Sequence, residues 1–60
     1  MAKVPPRSHQ DRILSAASRL FCRQGFHGSS TRAIARAAGV SLGNLYNHFP
    51  GKEALFTALL

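Results

Sequence analysis

The chain has 60 residues, which allows one small domain near the lower limit of independent stability. Eight lysine and arginine residues against two acidic residues give a formal net charge of +6, a balance that favours an anionic partner, either nucleic acid or an acidic membrane surface. The single cysteine excludes an internal disulfide, and no apolar run approaches the roughly 20 residues that cross a bilayer.

Residues 1–8 are predicted to form a flexible basic arm. They contain Lys3, the pair Pro5-Pro6 and Arg7, a composition typical of an extended chain end. Two interpretations stay open: a terminus without a fixed structure, and a basic arm that touches DNA phosphates or the minor groove. No apolar stretch follows the basic residues, so we expect no signal peptide.

A first helix is predicted to begin at Ser8 and to end at Gly25. Ser8 and Asp11 form an imperfect capping box, and glycine is a common helix-ending residue. One side of this helix carries apolar residues at helical spacing, namely Ile13, Ala17, Leu20 and Phe21. The other side carries Arg12, Arg19 and Arg23, either as a solvated face or as a DNA contact.

Residues 30–52 predict a helix-turn-helix. Ser30 caps a helix over residues 31–38, Gly39 can adopt the left-handed conformation that ends it, and Ser41 caps the next helix. In the first of these helices we expect Ile34, Ala37 and Ala38 to share the buried face, opposite Arg32 and Arg36.

The helix over about residues 42–49 is predicted to have two faces. Its apolar face carries Leu42, Leu45, Tyr46 and Phe49, and its polar face carries Gly43, Asn44, Asn47 and His48. Pro50 stops it, and a fourth helix begins near Lys52 after the weak cap Gly51. The predicted core of the domain is Phe21, Phe26, Ile34, Val40, Leu45, Phe49, Leu55 and Leu59.

The polar face of this helix is suited to reading bases if the helix enters a major groove. Asn44 and Asn47 can each donate to and accept from the edge of adenine, although both can equally be ordinary exposed asparagines. Gly43 is a poor helix former, and either a close approach of DNA or crowding between helices explains it. Leu42 either packs against the core or touches a thymine methyl group.

The order and spacing of these residues resemble the N-terminal DNA-binding domain of TetR-like bacterial transcriptional regulators. The resemblance spans roughly residues 12–60 and is carried by Phe21, Gly25, Phe26, residues 30–35, 38–41 and 43–46, His48, Phe49 and residues 52–55. Two positions depart from the family pattern. Ala33 stands where an acidic residue usually completes the capping box, and Leu42 stands where a polar or basic residue is usual.

The resemblance implies roles for individual residues. It implies phosphate contacts from Thr31, Tyr46, His48 and Lys52, and a phosphate or base contact from Arg32. Helix N-termini favour phosphate binding, which agrees with the positions of Thr31 and Lys52. The expected base-reading set is Asn44, Asn47, Gly43, Arg32 and Leu42.

The sequence therefore predicts an all-α domain over residues 9–60, with a homeodomain-like three-helix core and the start of a fourth helix. By resemblance, we expect a ligand-responsive repressor that binds a near-palindromic operator as a homodimer in the bacterial cytoplasm. Its effector and its dimer interface would lie in a C-terminal domain absent from this chain. The alternatives are a nonspecific DNA-binding protein and a cationic amphipathic membrane-binding peptide. We expect no enzyme, cofactor or metal site, because no catalytic or ligating constellation is present.

Overall fold

The computed structural model describes residues 8–60, which form four helices and no strand. The helices are α1 (His9–Gln24), α2 (Thr31–Ala38), α3 (Leu42–His48) and α4 (Lys52–Leu59). The predicted all-α class is therefore confirmed. None of these helices is long and apolar enough to cross a membrane. The predicted basic arm lies outside the described residues, apart from Ser8.

A serine hydroxyl caps each of the first three helices. The Oγ atoms of Ser8, Ser30 and Ser41 accept hydrogen bonds from backbone N–H groups three residues on, at 3.2, 3.0 and 3.0 Å. Such a cap stabilises a helix by about 1 kcal/mol relative to alanine. The three predicted caps are confirmed, and Ser30 caps α2 without an acidic partner at Ala33. Gly51 supplies no side-chain cap to α4.

Backbone hydrogen bonds close the turn between α2 and α3 at Gly39. Gly39 has φ 76° and ψ 29°, which is the left-handed conformation that the sequence predicts. Its N–H donates to the Arg36 carbonyl at 3.1 Å, and the Val40 N–H donates to the Ala35 carbonyl at 3.0 Å. These bonds satisfy carbonyls at the end of α2 and fix the direction in which the chain leaves it. Residues 31–48 thus form the predicted helix-turn-helix.

The core lies along α1, because α1 packs against all three other helices and α2 also packs against α3. The buried hydrophobic side chains are Ile13, Ala16, Ala17, Ile34, Ala35, Ala38, Leu45, Phe49 and Leu55. The alanines of α1 and α2 are small, so the two helix axes can approach closely where these residues meet. The large side chains then fill the space between these helices and α3 and α4.

The predicted core is confirmed at Ile34, Leu45, Phe49 and Leu55. Phe21, Phe26 and Val40 are half-buried at its edge. The prediction is wrong at Leu59, which is 37% exposed. Leu59 lies in the last turn of α4, where the side chains from Phe56 onward are all exposed.

The predicted buried face of α2 is wrong at one position. Ala37 is exposed, whereas its neighbour Ala35 is 3% exposed and packs in the core with Ile34 and Ala38. The helical spacing allows either alanine beside Ile34, and the side on which α1 packs decides between them. With Ala35 buried, Arg32 and Arg36 still lie on the solvent side of α2, where both are exposed.

Candidate nucleic-acid interface

Most of the surface of α3 faces solvent. Within this helix only Leu45 is buried, whereas Gly43, Tyr46, Asn47 and His48 are exposed. Leu42 is half-buried and packs against the core, so its packing role is confirmed. A short helix that exposes small and polar groups in this way has a surface able to enter a nucleic-acid groove.

Gly43 stands in open space. A Cβ atom built at this position meets no heavy atom within 4 Å among the described residues. Crowding between helices therefore does not explain this glycine within residues 8–60. The other explanation, a close approach of DNA to the α3 backbone, stays a prediction.

The two asparagines expected to read bases have different surroundings. Asn47 is exposed, but Asn44 is half-buried, and its Oδ1 is buried without a hydrogen-bond partner in the described part of the chain. The Asn44 backbone N–H is already used by the Ser41 cap. A two-point contact with adenine needs both carboxamide atoms, so it requires a side-chain rotation at Asn44.

Two of the expected phosphate ligands lie in contact with each other. The Thr31 hydroxyl, at the first residue of α2, and the Tyr46 hydroxyl, on α3, are 2.9 Å apart and hydrogen-bonded. Tyr46 is 46% exposed, so half of this side chain projects beyond the packed surface. Each hydroxyl has one proton and can rotate it outwards, so a phosphate oxygen at this point can accept from both, and these two bonds then replace the one between Thr31 and Tyr46.

Arginines line two open grooves on either side of Ala37. One groove, on the outer face of α2, is lined by Ser30, Arg32, Ala33, Arg36 and Ala37. The other, between α1 and α2, is lined by Arg12, Ser15, Arg19, Ala37 and Ala38. Neither lining contains a carboxylate, because the two acidic residues lie in the first turns of α1 and α4. The surface around Ala37 is therefore positively charged.

Lys52 does not project freely into solvent. Its Nζ donates hydrogen bonds to the carbonyls of Phe26 and Ser29, at 2.7 and 2.9 Å, and lies 4.4 Å from the centre of the Phe26 ring. The sequence did not indicate this contact, because it joins residues more than 20 positions apart. The ammonium has three N–H donors, so one remains for another acceptor.

The remaining titratable side chains form no ligand set. His48 is exposed and its ring lies 6.4 Å from the Phe49 ring, and the free Cys22 is also exposed. Within residues 8–60 no three histidine, cysteine or acidic side chains are grouped so that they could hold a metal ion.

Comparison with protein families gives one match that covers most of the chain. A family model described as "Bacterial regulatory proteins, tetR family" matches residues 13–59. This range includes most of α1, all of α2, α3 and α4, and the turn between α2 and α3.

Known proteins with similar sequences are named as transcriptional regulators. The chain is 47% identical over 49 residues to the HTH-type transcriptional regulator UidR of Escherichia coli K12. This alignment covers 82% of the chain and 25% of UidR. It is 54% identical over 48 residues to RutR of the same strain, covering 80% of the chain and 23% of RutR. The chain thus spans about a quarter of the length of these relatives.

The fold is also similar to that of a solved structure. The crystal structure of a protein from Shewanella sp. PV-4, described as a tetR family transcription regulator, superposes with a TM-score of 0.86 and 53% sequence identity. The superposition covers 88% of this chain and 28% of that protein.

Proposed function

This chain belongs to the tetR family of bacterial regulatory proteins, and from that membership we propose that it is the sequence-specific DNA-binding domain of a transcriptional regulator. The expectation that it is not an enzyme is confirmed, because the relatives that it matches are named as transcriptional regulators. The observation that carries the proposal is the capped helix-turn-helix, whose α3 exposes Gly43 and Asn47 while Leu45 anchors it.

In the proposed complex, α3 lies in the major groove of double-stranded DNA. Asn47 reads adenine with its exposed carboxamide, and Asn44 does so after rotating its buried Oδ1 outwards. Gly43 lets the DNA approach the helix backbone, and Leu42 supplies an apolar contact from its exposed portion. Arg32, exposed on α2, contacts a base edge or a phosphate.

Phosphates on the two sides of the groove are held by residues at the starts of helices and on the rim of α3. Thr31 and Tyr46 hold one phosphate between their hydroxyls, and His48 contacts another. At α4 the phosphate ligands are the backbone N–H groups of the first turn, beginning at Lys52, because Gly51 leaves them without a side-chain cap. These contacts set the position of α3 without specifying sequence.

The regulator that carries this domain is proposed to act as a homodimer. Two copies would place α3 in successive major grooves about 34–36 Å apart on a near-palindromic operator. A small-molecule effector, bound outside this domain, would change the spacing of the two copies and release the operator. Because coupling between two binding sites is reciprocal, operator binding would weaken effector binding by the same factor. The proposed location is the bacterial cytoplasm, where the chromosome lies.

Selection of bound duplexes from a random pool tests this proposal. The full-length regulator is incubated with the pool at about 0.15 M salt, a physiological ionic strength. We expect enrichment of an inverted repeat with half-sites one helical turn or more apart. Tight, salt-sensitive binding without enrichment would instead identify a nonspecific DNA-binding protein, and would leave Asn44 and Asn47 as surface residues.

A further inference from the structure

The loop between α1 and α2, residues 25–30, is held in one conformation by its own contacts. The Gly25 N–H donates to the Phe21 carbonyl at 2.9 Å, and the Ser29 hydroxyl donates to the Gly25 carbonyl at 2.8 Å. Ser29 is only 3% exposed, which is unusual for a polar loop residue. At Gly28 a Cβ atom would collide with the Gln24 carbonyl oxygen, so the loop passes too close to α1 for any side chain there.

Lys52 connects this loop to α4. Its Nζ donates to the carbonyls of Phe26 and Ser29, which lie at the two ends of the short turn containing Gly28. It also lies over the Phe26 ring, and the side chain is half-buried. A cation that makes two charge-assisted hydrogen bonds and a cation–π contact in a partly buried site is fixed there more firmly than an exposed lysine.

The contacted carbonyls lie immediately before the DNA-facing start of α2. Ser29 precedes Ser30, the α2 cap, and Ser30 precedes Thr31, whose hydroxyl is bonded to Tyr46. A shift of the loop would therefore move the α2 N-terminus and separate the Thr31–Tyr46 pair. Only the Ser29 carbonyl and the backbone of Ser30 and Thr31 lie between the Lys52 ammonium and this pair.

We infer that the Lys52 side chain is a positioning residue, which holds the α1–α2 loop against α4 and so places the Thr31–Tyr46 pair for phosphate. This assignment rests on the proposed DNA-binding function. It differs from a direct ionic contact because the ammonium acts on the protein backbone, and DNA meets the residues that it has positioned.

Substitutions that separate charge from geometry test this inference in the full-length regulator. Lys52→Met removes the ammonium and keeps the apolar stem, Lys52→Arg keeps the charge but not the compact three-donor head, and Arg36→Met removes an exposed arginine from α2. Each is compared with the wild type for hydrogen exchange at the Ser29 and Ala33 amides and for the salt dependence of binding to a fixed duplex.

We expect exchange at the two amides to become about tenfold or more faster in both Lys52 variants and to stay unchanged in Arg36→Met. DNA affinity should fall in both Lys52 variants while the slope of log K against log salt stays that of the wild type. A direct ionic contact would instead lower that slope by about one unit in Lys52→Met and preserve affinity in Lys52→Arg. That pattern, with unchanged exchange, would overturn the inference.

If Lys52→Met does not fold, Gly28→Ala tests the same inference with Lys52 intact. It displaces the loop from the α1 side, and we expect the same faster exchange at Ala33 and the same loss of affinity without a change of slope. Unchanged affinity in a Gly28→Ala protein whose loop exchanges faster would overturn the link between loop and phosphate binding. A wild type that binds no duplex would refute the proposed function. The hydrogen-exchange comparison needs no DNA, so it would still test whether Lys52 holds the loop.

Discussion

Asn44 carries a polar atom that the folded domain leaves unsatisfied within the described residues. Its Oδ1 is buried without a hydrogen-bond partner, although the side chain as a whole is half-buried. A buried acceptor without a donor costs about 1–3 kcal/mol. A residue that destabilises the fold in this way is a candidate for a role in binding rather than in folding.

Asn44→Ala separates these two roles. It removes the unsatisfied oxygen and introduces a better helix former, so we expect the free energy of unfolding to rise by up to about 1 kcal/mol. Binding to the selected operator should weaken by about 1–3 kcal/mol, with one base position relaxed. Thermal unfolding and duplex binding measure the two effects. A less stable variant, or one with unchanged sequence preference, would contradict the assigned role.

Gly43 offers a second separation of stability from binding. Because a Cβ atom meets nothing within 4 Å there, Gly43→Ala should stabilise the free domain by about 0.5–1 kcal/mol through the higher helix propensity of alanine. If DNA approaches the α3 backbone at this point, the same change weakens operator binding. Chemical denaturation and a binding titration give both values, and unchanged binding would remove Gly43 from the interface.

The contact between Thr31 and Tyr46 predicts that their effects on binding are coupled. Tyr46→Phe and Thr31→Val each remove a hydroxyl while keeping most of the side-chain shape, and each should weaken binding to all duplexes alike. Since one phosphate is shared, the double variant should lose less than the sum of the single losses, with a coupling energy of about 0.5–3 kcal/mol. A double-mutant cycle on one duplex measures this. Strict additivity would show that the hydroxyls bind independently.

Among the elements, the α1–α2 loop is fixed by hydrogen bonds from three different side chains. The Ser29 hydroxyl, the Gln24 side chain and the Lys52 ammonium all bond to carbonyls of this loop, at 2.8, 2.9 and 2.7–2.9 Å. The rings of Phe21, Phe26 and Phe56 also meet beside it, with centroids 5.4 to 5.9 Å apart. Such contacts make a six-residue loop part of the packed structure.

Two glycine substitutions measure how rigid this loop is. Gly28→Ala should destabilise the domain by about 1–3 kcal/mol, because the new methyl group would collide with the Gln24 carbonyl oxygen and the backbone must move. Gly43→Ala is the control, since a Cβ atom there meets nothing within 4 Å and the change should stabilise the domain slightly. Equal unfolding midpoints for the two variants would show that the loop yields easily.

Local sequence signals predicted the helices and their caps, but they did not predict contacts between residues that are distant in the sequence. Ser30, Gly39 and Ser41 act on residues within five positions, so their roles follow from the sequence alone. The choice of Ala35 over Ala37 as the buried alanine depends on where α1 packs, which the spacing within α2 does not contain. The bonds from Lys52 to the α1–α2 loop join residues more than 20 positions apart, and nothing in the sequence marks them.

The molecule as a whole depends on few large buried side chains. Only Ile13, Ile34, Leu45 and Leu55 are large and essentially inaccessible in the described residues. By the general scale of stability per residue, a domain of this size has a free energy of unfolding of roughly 3–9 kcal/mol. Loss of one such side chain therefore removes a large share of it.

Leu45→Ala is expected to lower the free energy of unfolding by about 2–5 kcal/mol, because Leu45 is 0% exposed and α3 has no other buried residue. Urea denaturation followed by circular dichroism measures the change. Asn47→Ala, at an exposed position of the same helix, is the control and should lie within about 0.5 kcal/mol of the wild type. A loss below 1 kcal/mol at Leu45 would mean that α3 is held by other contacts.

The attachment of α3 through a single buried leucine has a consequence for how new specificities arise. The residue that keeps the helix folded onto the domain, Leu45, is distinct from the exposed residues Gly43, Asn47 and His48 that would meet DNA. A gene duplicate can therefore change its target sequence by steps that each encode a folded protein. For the same reason, a library randomised at these three codons should contain mostly folded members, from which reprogrammed binders can be selected.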